Sequence, residues 1–415
     1  AYPPPVLRAR KGTPFELTIR NGLGEPVALG IHGLRGPNAV EAFAPLNAAP
    51  LAPGEARSLA FTPADAGSFV YMPVLQGRAA EQRERGLAGM LIVDEASPPT
   101  VDLEQVAVLD DAALGAGGLD AGQLVDPVSR RIEAARFGRL GNALLVNGAL
   151  APLAVTVRPG ARVRLRLASV ANARLMPMKF QGGRQTVVAI DGQACDPFDP
   201  LKRTVVLLPG SRYEVMLDMP AEAGQEAGVF VETGGLHKII AFRTEGAALP
   251  GRPLVAPLPA NDVPPSIRLQ NAARAEIAIS GGLERPAAGA PSATPDEAAL
   301  AQRWPDRSKI FQINNGFNAG LGGRPIMSVK RGGPVVLALT NRTAWSQVIT
   351  VRGHVFRLLH PLDDGWEPYF LDTLHLPPMS TSRIAFDAVN PGRWAIHSTI
   401  AEHFDAGVAT WFEVQ

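Results

Sequence analysis

The chain has 415 residues, 46% hydrophobic and 19% charged, with a formal net charge of +1. That composition describes a folded protein with ample core, long enough for roughly two to four domains. Near-neutral charge gives no footing for nucleic acid or an anionic membrane surface, and without an apolar run of about eighteen residues no membrane-spanning segment is predicted.

Forty-two glycines and 38 prolines point to many short strands and turns. Ala1, rather than Met, implies a removed leader or tag. In chain order, KGTPFELTIRN (Lys11 to Asn21) alternates apolar and polar residues as a half-buried strand does. AGSFVYM (Ala66 to Met72) reads as a second strand, with Gly in its second position. Asp110 and Asp111 are expected in a loop, as solvated turn residues. Val146-Asn147-Gly148 is a turn. In PGARVRLRLAS (Pro159 to Ser169), Val163, Leu165 and Leu167 face one way. Arg162, Arg164 and Arg166 face the other, expected toward solvent. Asp191-Gly192 is a turn, and Cys195 in DGQACDPFD is expected beyond it as a small buried thiol. As the single cysteine it excludes an internal disulfide and any CxxC metal site.

AGVFVET (Ala227 to Thr233) repeats the Gly-strand pattern, and the Pro-rich stretch 246–265 is the clearest linker. Residues 283–307 read as a surface excursion with a short helix at Pro295 to Arg303. RGGPVVLALTN (Arg331 to Asn341) and PGRWAIH (Pro391 to His397) complete two sets of three matching strands. Repeats of about 150 residues are too long for solenoid units and suit whole β-sandwiches. The predicted fold is all-β: three Greek-key β-sandwich domains at 1–98, 99–245 and 246–415.

The last segment reads Gly392-x-Trp394-x-x-His397-Ser398-Thr399-Ile400-x-x-His403-x-x-x-Gly407-Val408. It resembles the G-x-W-x-x-H-C-H-I-x-x-H-x-x-x-G-M segment of multicopper oxidases. That resemblance covers nearly the whole chain and implies three cupredoxin-like domains carrying four copper-ligand motifs. The first, H-W-H-G-L, matches Gly30-Ile31-His32-Gly33-Leu34, so one His has become Gly30. The second falls on Phe69 to Val74, where Met72 and Val74 replace both His. The third falls on Gln347 to Phe356 and loses its ligands to Gln347, Thr350 and Arg352; His354 matches a family His that does not bind metal. The fourth keeps His397 and His403, with Ser398 for the Cys, Thr399 for a His and Val408 for the axial Met.

Three of ten family His positions survive: His32, His397 and His403. A hydroxyl cannot replace a soft thiolate, and a guanidinium at a ligand position repels cations and can itself occupy the space. No bound metal or cofactor is expected, and the three His are expected to be hydrogen-bonded core residues. His237, His360 and His375 are expected to be surface or hydrogen-bonded side chains. Asp363-Asp364 is expected to be a solvated turn. No GxSxG, P-loop, HExxH or GxGxxG opening a helix is present.

The resemblance extends to a copper-less branch of the superfamily associated with bacterial cell division and stress. It implies a periplasmic, noncatalytic protein acting on a periplasmic or membrane-associated protein partner. Two alternatives stand beside it. One is a copper-binding oxidoreductase or a metal binder with a rearranged site. The other is a small-molecule binder using an emptied cavity lined by Met72 and Val408.

Overall fold

A computed structural model describes residues 5–115, 130–264, 266–285, 296–316, 320–359 and 365–415. His360 and Asp363-Asp364 lie outside them. The chain has an all-β, cupredoxin-domain fold whose strands form three successive pairs of sheets. The first pair joins Leu7–Arg10, Gly89–Asp94, Gly67–Pro73 and Leu29–His32, in that order, and sets Phe15–Arg20 against Ala56–Phe61. Phe69, Tyr71, Leu91 and Val93 alternate inward onto Ile31, Leu34 and Phe61, as period-two side chains do.

The second pair is a five-stranded sheet around Glu226–Glu232 and a seven-stranded sheet around Arg162–Ser169. Val163, Leu165 and Leu167 enter their shared core. The third pair places Pro334–Asn341 in one five-stranded sheet and Gly392–Ser398 in the other. The turns form with left-handed backbone at Asn147 (φ 51°), Asp191 (φ 49°), Asn314 (φ 54°) and Asn315 (φ 59°), residue types that tolerate it. A helix spans Glu297–Arg303, its first turn capped by Asp296.

Three expectations are corrected. Arg162, Arg164 and Arg166 are buried rather than solvent-facing, because the face opposite the second core is covered by the first sandwich. Arg164 pairs there with Glu95 and with Glu214, and Arg166 with Glu214 at 2.6 Å and Glu104 at 3.0 Å. Asp110 and Asp111 lie in the strand Leu103–Ala112, not in a loop. Asp111 is buried against Arg174 at 2.7 Å and the Gly141 amide at 2.6 Å. Cys195 is half-buried within the strand Gln193–Phe198, where burial pushes its thiol up to about 12, far from thiolate reactivity.

The segment 246–264 has no regular structure but is tied down. Asn261 donates to Ala66 O (2.9 Å) and Gln193 Oε1 (3.1 Å), and its Oδ1 accepts from Ala66 N at 2.9 Å.

Candidate functional site

His32, His397 and His403 are all buried where the third sandwich meets the other two. The strand Gly392–Ser398 delivers His397, and the one-turn helix Ala401–Asp405 that follows turns His403 inward. His403 Nδ1 lies 2.9 Å from Gln347 Oε1, and Nε2 lies 2.9 Å from Arg136 O. Burial lowers its pKa to about 4, so the ring is neutral and has one N–H. Nε2 donates to the Arg136 carbonyl, and Nδ1 is satisfied once the Gln347 amide turns its NH2 inward. Both nitrogens are thus occupied. Ser398 beside them accepts from Ile400 N at 3.2 Å, and Val408 packs into the third core. One imidazole paired with an amide, and a hydroxyl that pairs with the Ile400 amide, fall short of the thiolate and second imidazole of a blue-copper centre.

The other group gathers His32, Thr350, Arg352, His397, Thr399, Met72 and Val74, all buried. His32 Nε2 lies 2.8 Å from Thr373 Oγ1 and 3.2 Å from Asp372 Oδ1. Burial nonetheless lowers its pKa to about 4. With Nε2 donating, Nδ1 carries the lone pair. His397 donates from Nδ1 to Ser398 O at 2.8 Å and is flanked by the rings of Phe43 (5.0 Å) and Phe404 (4.9 Å). Burial holds it well below the usual imidazole range, with Arg352 adding to the effect. Among the described residues, His32 Nδ1 and His397 Nε2 have no hydrogen-bond partner.

Two guanidiniums occupy the remaining space. Arg352 Nη2 donates to Ile31 O at 2.7 Å and to both oxygens of Glu41 at 3.1 Å, with its guanidinium over the Phe43 ring. A Cβ on Gly30 would sit 3.1 Å from that Nη2 and 3.1 Å from Val74 Cγ1. Gly30, Val74 and Arg352 therefore form one mutually packed set. Arg83, from the helix Ala79–Glu84, donates to Thr399 O at 2.8 Å and to Met72 Sδ at 3.1 Å. Two open imidazole nitrogens beside two guanidiniums do not match a copper cluster's donor set. Among the described residues, no three His, Cys, Asp or Glu side chains are grouped to hold a metal ion.

A second network backs this group. Arg212 grips Asp372 with both ends of its fork (2.9 and 2.6 Å), and Asp191 accepts the backbone amides of Arg212, Asp372 and Thr373. Gly33, at φ 86°, lets the Arg212 guanidinium pass where any Cβ would collide with it. Arg212, Asp372 and Arg83 escaped the sequence reading as partners, since their juxtaposition depends on contacts between sandwiches. His354, which matches the non-ligand family position, is buried between Phe386, Trp394 and Phe412. His375 bonds to Ser346 Oγ at 3.1 Å, and His237 is exposed. Met72 and Val408 fall in separate parts of the core, so they do not line one emptied cavity.

Family models described as multicopper oxidase match residues 1–98, 122–234 and 291–415. The chain belongs to the multicopper oxidase superfamily. It is similar to multicopper oxidase MmcO of Mycobacterium tuberculosis, 25% identical over 433 aligned positions covering 98% of this chain and 81% of that one. Within the superfamily it resembles cell division protein FtsP: with that of Yersinia pestis it is 30% identical over 57% of this chain and 50% of the relative. The match thus spans about half the length of that relative. A solved multi-copper oxidase from Pseudomonas thermotolerans superposes with a TM-score of 0.83 at 27% identity, covering 100% of this chain and 92% of that one. Among the described residues no helix is long and apolar enough to cross a membrane.

Proposed function

We propose that this chain is a noncatalytic, periplasmic member of its superfamily that has lost its copper ligands and acts through protein–protein contacts, in cell division or envelope stress. The observation that carries the reading is Arg352, a buried cation at a ligand position, ion-paired to Glu41 and packed on Gly30. A fixed positive charge there opposes binding of any metal cation. The open nitrogens of His32 and His397 belong to neutral rings whose other nitrogens are engaged by Thr373, Asp372 and Ser398. The similarity to FtsP, named for cell division, supports the role. Interaction surfaces are then sought in loops and sheet edges.

The second reading, a copper oxidoreductase, draws on the similarity to MmcO along 98% of this chain. One experiment separates them: load the purified chain with Cu(I) and with Cu(II), remove loosely held metal, then measure bound copper by mass spectrometry and oxygen consumption with phenolic substrates. The noncatalytic reading expects no stoichiometric copper and no turnover. Retained copper with oxygen uptake selects the oxidase.

A further inference from the structure

At one corner of the second sandwich the chain crosses between sheets, leaving Gln193–Phe198 as an edge strand of one and Thr204–Leu207 as an edge strand of the other. The turn between them closes with Arg203 N donating to Pro200 O at 2.9 Å. Lys202 (φ 53°) and Arg203 (φ 56°) both hold left-handed backbone, which glycine adopts more readily than any residue with a side chain. Glycine would serve the turn better, so what these positions provide is their side chains. Lys202, Arg203 and Lys179, the cross-strand neighbour of Thr204, have no carboxylate partner among the described residues. Asp199 is held by Arg184 (3.3 Å) and the Thr186 hydroxyl (2.9 Å), and Glu226 by Lys238. Of the carboxylates in the five-stranded sheet, only Glu232 is left without a partner among the described residues.

The same corner is apolar as well as basic. Phe198, Leu201 and Val206 are 36%, 84% and 42% exposed. Val205 and Leu207 turn into the core, so alternation puts Val206 beside Pro177 on the outer face. Single exposed apolar residues are ordinary; three within nine residues, set among three open cations, define a surface. An anionic lipid boundary answers both features, with negative charge for the cations and hydrocarbon for the tip. Cations beside an edge strand discourage a further strand from adding, which favours lipid over an acidic peptide. We propose that the corner from Phe198 to Val206 docks the protein on an anionic lipid surface, Leu201 entering the headgroup boundary while Lys179, Lys202 and Arg203 meet the phosphates. A whole-chain charge of +1 conceals this local excess. No family ligand position lies in this sandwich, so the outcome does not depend on copper.

Sedimentation of the full chain with vesicles at low salt tests this, comparing equal parts phosphatidylglycerol and phosphatidylcholine with phosphatidylcholine alone. The anionic vesicles are expected to bind about tenfold or more tightly, and added salt to weaken them. Lys202→Gly with Arg203→Gly suits the turn and should not lower the melting temperature, yet should weaken binding about twentyfold, at about fivefold per cation. Leu201→Ser should weaken it about fivefold. Lys330→Gln with Arg331→Gln removes the same charge from exposed positions on the third sandwich and should change little. No binding to anionic vesicles, equal binding to both kinds, or a loss no larger in the glycine variant than in the glutamine one overturns the proposal. So does full binding by Leu201→Ser, which would mark a purely ionic contact of the kind an acidic protein gives.

Discussion

The guanidinium of Arg352 and the bare α-carbon of Gly30 fit together so closely that a Cβ at position 30 would stand 3.1 Å from Nη2. The two residues pack as a pair. Restoring one alone therefore does harm: Gly30→His should destabilise the chain by about 1–3 kcal/mol through overpacking. Combining it with Arg352→His should recover part of that loss. Urea unfolding of the two single variants and the double variant measures the coupling.

Among the described residues Glu41 is the carboxylate bonded to Arg352, and burial raises its pKa against the pull of that cation. Removing the cation by Arg352→Ala leaves Glu41 buried without it, and a loss of about 3–5 kcal/mol is expected. Arg352→Met with Glu41→Gln should be far milder. A double variant as unstable as Arg352→Ala would show that packing, not charge pairing, dominates there.

Glu214 stands between Arg164 and Arg166 at the seam of the first two sandwiches. Glu214→Ala leaves Arg164 with Glu95 and Arg166 with Glu104, each one carboxylate short, and should cost about 1–3 kcal/mol. Glu226 and Lys238 form a mostly exposed pair on the second sandwich. Glu226→Ala there should change the denaturation midpoint little.

His354 is fully buried and its pKa falls from 6.5 to about 4. Because the folded value lies below the unfolded one, the unfolded chain binds the proton first as pH falls. The stability that neutral His354 contributes is complete above about pH 6.5 and is lost as pH drops toward 4. His354→Gln should remove about one proton from the uptake on unfolding between those limits, read as a shallower dependence of stability on pH in that window.

His403 is buried with one ring nitrogen facing Gln347. Gln347→His together with Ser398→Cys should place two imidazoles and a thiol together, and Cu(II) should then give the visible thiolate-to-copper absorption, which is expected to be absent with Ser398 in place. Ser398→Cys alone should not. Oxygen uptake should stay absent, since the Arg352 side of the molecule is untouched.

Sandwich architecture was legible because alternation such as Val163, Leu165 and Leu167 is a local property of the chain. The fate of Arg162, Arg164 and Arg166 was not. Period two tells that they share a face, but whether that face meets water depends on Glu95 and Glu214 being brought from elsewhere. Asp111 was missed for the same reason: an acidic pair reads as a turn until Arg174 is known to reach it. Arg83 was invisible because its significance lies wholly in what it touches, Thr399 and Met72, distant in sequence.

Asn261 gives the Pro-rich connector a duty its composition does not advertise. With one amide it addresses the Ala66 backbone twice and Gln193 once, so the stretch behaves as a latch across two neighbours rather than a tether. Length and suppleness alone would not preserve it: a flexible graft of equal span would leave both neighbours intact yet unfasten them from each other.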